Sequence, residues 1–192
     1  MIIRNVLMTY YWPVYLEDPA TWYGVKERGE DAIVPVYDFL RTHAEFYSFP
    51  LKFIKALRMN GCGRVRDLGG IGFDGEKYYR LDPKFEWGQG ASGRPVFPAQ
   101  TIAVDPKAKP DEGWPGIKLE TPVFILELAG ALGHTGTVIA RDTGGRIKGH
   151  HIDFFVSGPN MAAQYRSELA RVGAIKKLEN GMVHTCVTLE VE

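Results

Sequence analysis

Residues 141–155 read RDTGGRIKGHHIDFF and follow a short apolar run at 137–140. The apolar run predicts a buried strand. The pair Gly144-Gly145 predicts that this strand ends in a tight turn, because neither residue carries a Cβ atom that would restrict its backbone. A second strand is predicted at 151–156. Two short strands joined by a glycine-containing loop indicate a body made mainly of β-structure.

Two aspartates occupy different places in this run. Asp142 lies at the edge of the turn, and Asp153 lies in the middle of the second predicted strand. The two-residue period of a strand puts His151, Asp153 and Phe155 on one face. Carboxylates are seldom buried unless they are paired, whereas aspartates in turns commonly bind loop backbone. Two interpretations follow, an acidic site and a pair of loop anchors, and the pattern alone leaves both open.

The run resembles the signature of the three-aspartate (3D) domain. This family is shared by membrane-bound lytic transglycosylase A and by small stationary-phase muralytic enzymes. The matching elements are DTGG at 142–145, IKG at 147–149 and ID at 152–153. The resemblance makes Asp105 the third aspartate.

Shorter segments extend the resemblance toward the N-terminus. Ala91-Ser92-Gly93 and Met8-Thr9-Tyr10 are similar to other short motifs of the family. Residues 58–64, RMNGCGR, resemble a glycine-rich segment there, but Cys62 stands where the family has serine or threonine. The match is dense over residues 91–156 and sparse before them. We therefore expect a single 3D-type domain over residues 1–192.

The resemblance implies a fold, an activity and a partner. The fold is a double-psi β-barrel with two or three added helices. The activity is that of a peptidoglycan lytic transglycosylase, which cleaves the β-1,4 bond between N-acetylmuramic acid and N-acetylglucosamine and leaves a 1,6-anhydro product. The partner is the glycan strand of peptidoglycan. The resemblance implies no cofactor and no metal ion.

Asp153 corresponds to the catalytic acid of the family. Its neighbours Ile152 and Phe154 are apolar, and an apolar setting raises the pKa of a carboxyl group. Asp142 is the second catalytic candidate, because a nearby negative charge raises that pKa further and steadies positive charge on a sugar ring. The residues expected to bind substrate or support the aspartates are Asp105, Thr143, Lys148, Thr9 and Ser92.

Two other functions remain open. A peptidoglycan glycoside hydrolase uses a second carboxylate, about 5–5.5 Å from the first in retaining enzymes and about 6.5–9.5 Å in inverting ones. A non-catalytic peptidoglycan-binding module could use the same acidic groove without turnover, since a fold does not fix a function.

Composition excludes several classes of protein. Hydrophobic residues make up 45% and charged residues 24%, which is ordinary for a globular domain. With 23 basic and 23 acidic residues the net charge is zero, which argues against nucleic-acid binding. Cys62 and Cys186 lack metal-ligand spacing. Two free thiols are favoured, and the sequence leaves a disulfide between them open.

The expected place of action is the cell wall, in the periplasm or outside the cell. The sequence has neither a transmembrane run nor the features of a signal peptide at Met1. The export route is therefore open, and a phage-type lysin fits this combination.

Helical periodicity predicts three helices, at 32–47, at 51–57 and after Pro159. The last should place Met161, Tyr165, Leu169 and Val172 on one face. Strands are predicted at 5–15, 77–81, 100–105, 122–128 and 182–191. An aromatic group near the N-terminus should lie mainly in the core, with a sugar-stacking surface as the alternative; it comprises Tyr10, Tyr11, Trp12, Tyr15, Trp22 and Tyr23.

Overall fold

The computed structural model describes residues 1–22, 33–36, 47–66, 69–73, 78–177 and 183–191. The chain divides into two compact units, Met1–Tyr11 with Gly90–Glu192, and Trp12–Gln89. This division concerns packing within the chain, so the single domain over residues 1–192 stays a prediction.

The described residues form thirteen β-strands and two α-helices. In chain order the strands are β1 (Ile2–Tyr11), β2 (Val14–Tyr15), β3 (Ile33–Val36), β4 (Tyr47–Pro50), β5 (Cys62–Val65), β6 (Gly69–Phe73), β7 (Tyr78–Arg80), β8 (Thr101–Ala103), β9 (Pro122–Ile125), β10 (Thr137–Asp142), β11 (His151–Phe155), β12 (Ile175–Lys177) and β13 (Val183–Val191). The helices are α1 (Leu51–Asn60) and α2 (Pro159–Arg171). The predicted class, mainly β with added helices, is confirmed.

The first unit is built on a seven-stranded sheet in the order β1-β11-β8-β10-β9-β13-β12. Strand β13 also pairs with β1. The six strands from β1 to β13 in that order therefore form a closed circuit of pairings. Strands β11 and β8 run antiparallel, whereas β1 with β11 and β8 with β10 run parallel.

Alternating burial in β13 shows which face of this sheet carries the core. Thr185, Val187, Leu189 and Val191 are buried, and the residues between them are half-buried or exposed. This period of two is the pattern of a strand with one face on the core.

Helix α2 covers part of the same core. Pro159 stands in its first turn, where a missing backbone N–H costs nothing. Ala162, Tyr165 and Leu169 are buried, and the Tyr165 ring lies 5.1 Å from that of Phe154. Val172 is 62% exposed because the helix ends one residue earlier, at Arg171. None of the helices in the described ranges is long and apolar enough to span a bilayer.

The second unit has its own core around α1. Its sheet has the order β2-β5-β6-β7, and β3 pairs with β4. The helix predicted at 51–57 is confirmed and ends at Gly61, whose φ of 76° suits a residue without Cβ. The buried cluster comprises Val14, Phe49, Phe53, Ile54, Ala56, Leu57, Val65 and Ile71.

The helix prediction for residues 32–47 is wrong at both of its ends, where the structure shows strands. Ile33–Val36 is a strand, and it pairs antiparallel with Tyr47–Pro50. Pro35 would stand inside the helix without an N–H to donate, and β-branched residues surround it, which favours a strand. Residues 37–46 of that prediction, and Tyr23 of the aromatic group, lie outside the described residues.

Candidate active site

Asp153 stands in the middle of β11, between two side chains that are fully buried, Ile152 and Phe154. Its own carboxyl group is half-buried, and its Oδ1 accepts a hydrogen bond from Thr9 Oγ1 at 2.9 Å. Burial raises the pKa of Asp153 to about 7; the charge of Asp142 adds to this increase, and the Thr9 hydrogen bond opposes it. Such a carboxyl group is protonated in a large fraction of molecules at neutral pH.

Asp142 ends β10 and is held by three donors. The backbone N–H groups of Ala91 and Thr143 donate to its Oδ1 at 3.0 and 2.9 Å. The Tyr11 hydroxyl donates to its Oδ2 at 3.3 Å. Burial raises the pKa of Asp142, and the hydrogen bonds from Thr143, Ala91 and Tyr11 work against that increase. These donors fix the position of the carboxyl group.

Strand β8 separates the two aspartates. Ala103 pairs with Asp142 on one side and with Asp153 on the other. Because neighbouring strands lie about 4.8 Å apart, the Cα atoms of the two aspartates are about 10 Å apart. The side chain between them is a single methyl group.

Thr9 extends this row on the other side of Asp153. It pairs with Asp153 across β1 and β11. Its hydroxyl lies 2.9 Å from Asp153 Oδ1 and 2.8 Å from His151 Nε2. The residue predicted as a supporting one is thus in direct contact with the carboxyl group of Asp153.

Asp105 has a different set of partners from the one expected. Its side chain is only 3% exposed, and its carboxylate accepts hydrogen bonds from the N–H groups of Lys107 and Gly149 at 3.1 and 3.0 Å. Lys109 Nζ lies 3.7 Å away. Burial raises the pKa of Asp105, but those two hydrogen bonds and the cations of Lys109 and Lys148 outweigh it and leave the pKa below its usual range. The contacts are those of a loop anchor.

The backbone conformation at Gly149 explains why the Ile-Lys-Gly element ends in glycine. Gly149 has a φ of 55°, and an added Cβ would lie 2.5 Å from Glu112 Oε2. Only glycine adopts this conformation without strain, and it turns the Gly149 N–H toward Asp105. The element therefore places the loop that leads into β11.

The remaining predicted site residues lie around these aspartates. Thr143 is exposed, and its backbone, not its hydroxyl, contacts Asp142. Ser92 Oγ accepts from the Arg94 N–H at 3.3 Å, within the turn that carries Ala91. Lys148 is exposed, and its charge acts on Asp105. Over the ranges that the structure describes, no group of three His, Cys, Asp or Glu side chains is arranged to bind a metal ion.

His151 and Tyr11 contact the site, and the sequence assigned neither of them a role there. The strand period placed His151 on the face of Asp153, which was a usable signal. Tyr11 was grouped with other aromatic residues, although its place two residues after Thr9 puts both on one strand face. What the sequence lacked was the pairing of β1 with β11.

The order of these elements agrees with a known family. Residues 100–168 match the family model of the 3D domain. This part of the chain is similar to the 3D domain. It contains Asp105, Asp142 and Asp153, so the resemblance drawn from the sequence is confirmed. Thr9 and Tyr11 reach the 3D domain from β1, outside the matched range.

One solved structure shows a similar fold. The structure of Escherichia coli MltA with bound chitohexaose is 15% identical, with a TM-score of 0.51 and coverage of 97% of this chain and 72% of that one. LtgG, a lytic transglycosylase of Burkholderia pseudomallei, is 17% identical, with a TM-score of 0.42 and coverage of 98% and 72%. No curated protein matches the chain. The likeness to MltA shows that the 3D domain and its flanking elements share that fold.

Proposed function

We propose that the protein is a peptidoglycan lytic transglycosylase that cleaves the β-1,4 bond between N-acetylmuramic acid and N-acetylglucosamine. One observation carries the proposal: the pKa of Asp153 is raised to about 7, and a second carboxyl group, Asp142, lies two strands away in the same row. The shared fold with MltA, a protein solved with a bound chitohexaose, supports a glycan strand as the partner.

One carboxyl group can serve both halves of this reaction. Protonated Asp153 gives its proton to the glycosidic oxygen while the bond from that oxygen to C1 of the muramic acid breaks. The C6 hydroxyl of the same sugar then attacks C1, and the Asp153 carboxylate takes the proton of that hydroxyl. A 1,6-anhydro ring forms, no water is consumed, and Asp153 ends the cycle protonated.

Asp142 has a supporting role in this scheme. Its charge keeps the proton on Asp153 before cleavage and faces the positive charge that develops on the sugar ring. Thr143, Ser92 and Lys148, beside the aspartates, are candidates for contacts with the glycan. Asp105 supports the site indirectly, by holding the loop before β11.

A double-psi β-barrel is the narrower proposal for the fold of the first unit. The closed circuit of six strand pairings supports it, because a sheet whose first and last strands pair has no free edge. The cell wall is the proposed place of action, and a phage-type lysin is the narrower form of the same proposal.

Replacement of Asp153 by Asn tests the assignment. We expect Asp153→Asn to lower the release of fragments from purified murein sacculi by about 10²–10⁴-fold, the usual contribution of a general acid. The amide keeps the size of the side chain but has no proton to give. Asp111→Asn, at an exposed carboxylate outside the site, is the matched control and should digest sacculi at the wild-type rate. Full activity of Asp153→Asn would contradict the role.

The masses of the products separate the rival functions. Anhydro ends on the released muropeptides support transglycosylation. Products heavier by one water indicate a hydrolase. The Cα atoms of the two aspartates are roughly 10 Å apart, and this separation keeps the hydrolase open because inverting enzymes space their carboxylates widely. Wild-type protein that pellets with sacculi and releases no fragments indicates a binding module.

A further inference from the structure

The Thr9 hydroxyl stands between two titratable groups. Its Oγ1 lies 2.9 Å from Asp153 Oδ1 and 2.8 Å from His151 Nε2. Both distances are those of hydrogen bonds. The three side chains come from two paired strands, β1 and β11, so strand pairing holds the contacts in place. We call this arrangement the Thr9 bridge.

The His151 ring is oriented from its other side. A hydrogen bond from the ring to the backbone of Arg146 raises the pKa of His151, but burial, aided by the nearby His184, has the larger effect and lowers it. Because Nε2 faces Thr9, Nδ1 is the nitrogen left for the Arg146 carbonyl. A neutral ring with its proton on Nδ1 presents an unprotonated Nε2 to the Thr9 hydroxyl.

A hydroxyl group has one proton to donate, so the Thr9 bridge has a direction. When Asp153 is protonated, its O–H donates to Thr9 Oγ1 and the Thr9 proton points to His151 Nε2. When the proton resides on His151 instead, Nε2–H donates to Thr9 Oγ1 and the Thr9 proton points to the Asp153 carboxylate. Every donor has an acceptor in both arrangements, and the two differ by one proton passed through Thr9.

We propose that the Thr9 bridge reverses when Asp153 changes its protonation state, so that His151 is a positioning residue that acts on Asp153 through Thr9. In the proposed reaction, on which this role rests, Asp153 gives its proton to the glycosidic oxygen, and the Thr9 O–H then turns from His151 Nε2 to the Asp153 carboxylate while His151 stays neutral. The same hydroxyl returns to His151 when Asp153 recovers the proton from the sugar.

Other groups near His151 could also move its titration. Asp153 lies on the same strand, and Asp142 lies on β10 beyond β8. His184 lies on β13, one residue before Thr185, which pairs with Met8 of β1. His184 Nε2 is buried and has no hydrogen-bond partner among the residues that the structure describes. The test must therefore separate the effect of the Thr9 hydroxyl from the effect of charge alone.

Nuclear magnetic resonance of the ¹⁵N-labelled histidine rings measures the protonation of His151 at the Thr9 bridge without any substrate. Comparison with His151→Gln assigns the His151 signals among the five histidines. We expect the His151 Nε2 shift of the wild type to show a second inflection near pH 7, where Asp153 ionises. Asp153→Asn should abolish that inflection. Thr9→Val should remove most of it, and Thr9→Ser should retain it.

The serine and valine variants decide the result together. A pure charge effect of Asp153 on His151 would persist in Thr9→Val, and this outcome would overturn the proposal. So would a wild-type ring protonated only on Nε2 at every pH, because such a ring has no acceptor for Thr9. If Thr9→Val is unfolded by circular dichroism, Thr9→Ala, which also lacks the hydroxyl, takes its place in the comparison with Thr9→Ser. Since this experiment measures no cleavage, a negative result would overturn the Thr9 bridge alone, and the sacculus assay would still test the proposed function separately.

Discussion

Asp153 and Asp105 are the same kind of side chain in opposite settings. Burial acts on both, but Asp105 receives two backbone N–H groups and lies near two lysines, whereas Asp153 receives one hydroxyl and faces another carboxyl group. The pKa of Asp105 is lowered and that of Asp153 is raised. The donors around a buried carboxyl group, more than its burial, therefore decide whether it anchors a loop or holds a proton.

Replacement of Asp105 by Asn should destabilise the protein. An amide can accept from Lys107 or from Gly149, but its NH₂ group then meets the other N–H as a second donor. We expect the free energy of unfolding at neutral pH to fall by about 1.5–3 kcal/mol, the usual range for hydrogen bonds to a charged group. Urea denaturation measures it.

The pH dependence of this loss has a definite sign. The lowered pKa of Asp105 in the folded protein means that its contribution is present above the ordinary aspartate pKa and fades as the pH falls through the folded value. The gap between wild type and Asp105→Asn should therefore narrow in acid. Asp111→Asn is the control and should change stability by less than about 0.5 kcal/mol. An equally unstable control would contradict the anchor role.

Asp153 should show the opposite dependence. Its folded pKa of about 7 lies above that of the unfolded chain, so the folded state binds more protons between the two values. Stability then falls as the pH rises through this window and levels off above it. Asp153→Asn carries a neutral side chain at every pH. We expect its free energy of unfolding to exceed that of the wild type by between about 1 and 4 kcal/mol near pH 8 and to equal it near pH 4. Denaturant titrations at several pH values measure this difference. Equal stability of both proteins near pH 8 would contradict the raised pKa.

At the scale of elements, the turn before β8 positions the second carboxyl group. Gly90 precedes the Ala91 N–H that donates to Asp142. An added Cβ at Gly90 would lie 2.3 Å from the Arg141 carbonyl oxygen, which is backbone and cannot rotate away. Gly90→Ala should therefore displace the Ala91 amide from Asp142 and lower stability by about 1–3 kcal/mol.

A matched substitution isolates this effect. Gly145→Ala, in the loop after Asp142, places its Cβ where no atom lies within 4 Å, and it should leave the melting temperature nearly unchanged. A backbone amide spectrum of Gly90→Ala should show the Ala91 signal shifted. An unshifted Ala91 signal in a stable variant would contradict the proposed displacement.

Sequence patterns predicted the secondary-structure elements better than they predicted which elements lie side by side. Helix α1 and its end at Gly61 followed from apolar spacing and an Asn-Gly exit, which are local signals. The strand Ile33–Val36 was missed because apolar spacing over 32–47 outweighed Pro35. Strand order depends on contacts between distant segments, so the sequence could not show that Thr9 lies beside Asp153. Nor could it show that the loop after Asp105 binds that carboxylate.

For the whole molecule, the contacts of the acidic site described above lie within the first unit. The chain leaves this unit after Tyr11 and returns at Gly90, and both Tyr11 and Ala91 donate to Asp142. The two crossing points are therefore close together. We expect a short Gly/Ser linker in place of Trp12–Gln89 to give a folded protein with a cooperative thermal transition. Histidine ring signals of His151 that match the full chain would confirm the intact site, and an unfolded product would contradict this prediction.

The row formed by Asp142, Ala103, Asp153 and Thr9 spans four strands, each of which contributes one residue. Side chains alternate along a strand, so a slip of one position in β11 would bring Phe154 into the place of the acid. Gradual substitution around the row can tune its chemistry, but an inserted or deleted codon that shifts the register of one of these strands at the row would erase it. In evolution and in protein engineering, length changes should be tolerated between the strands of this row and not within them.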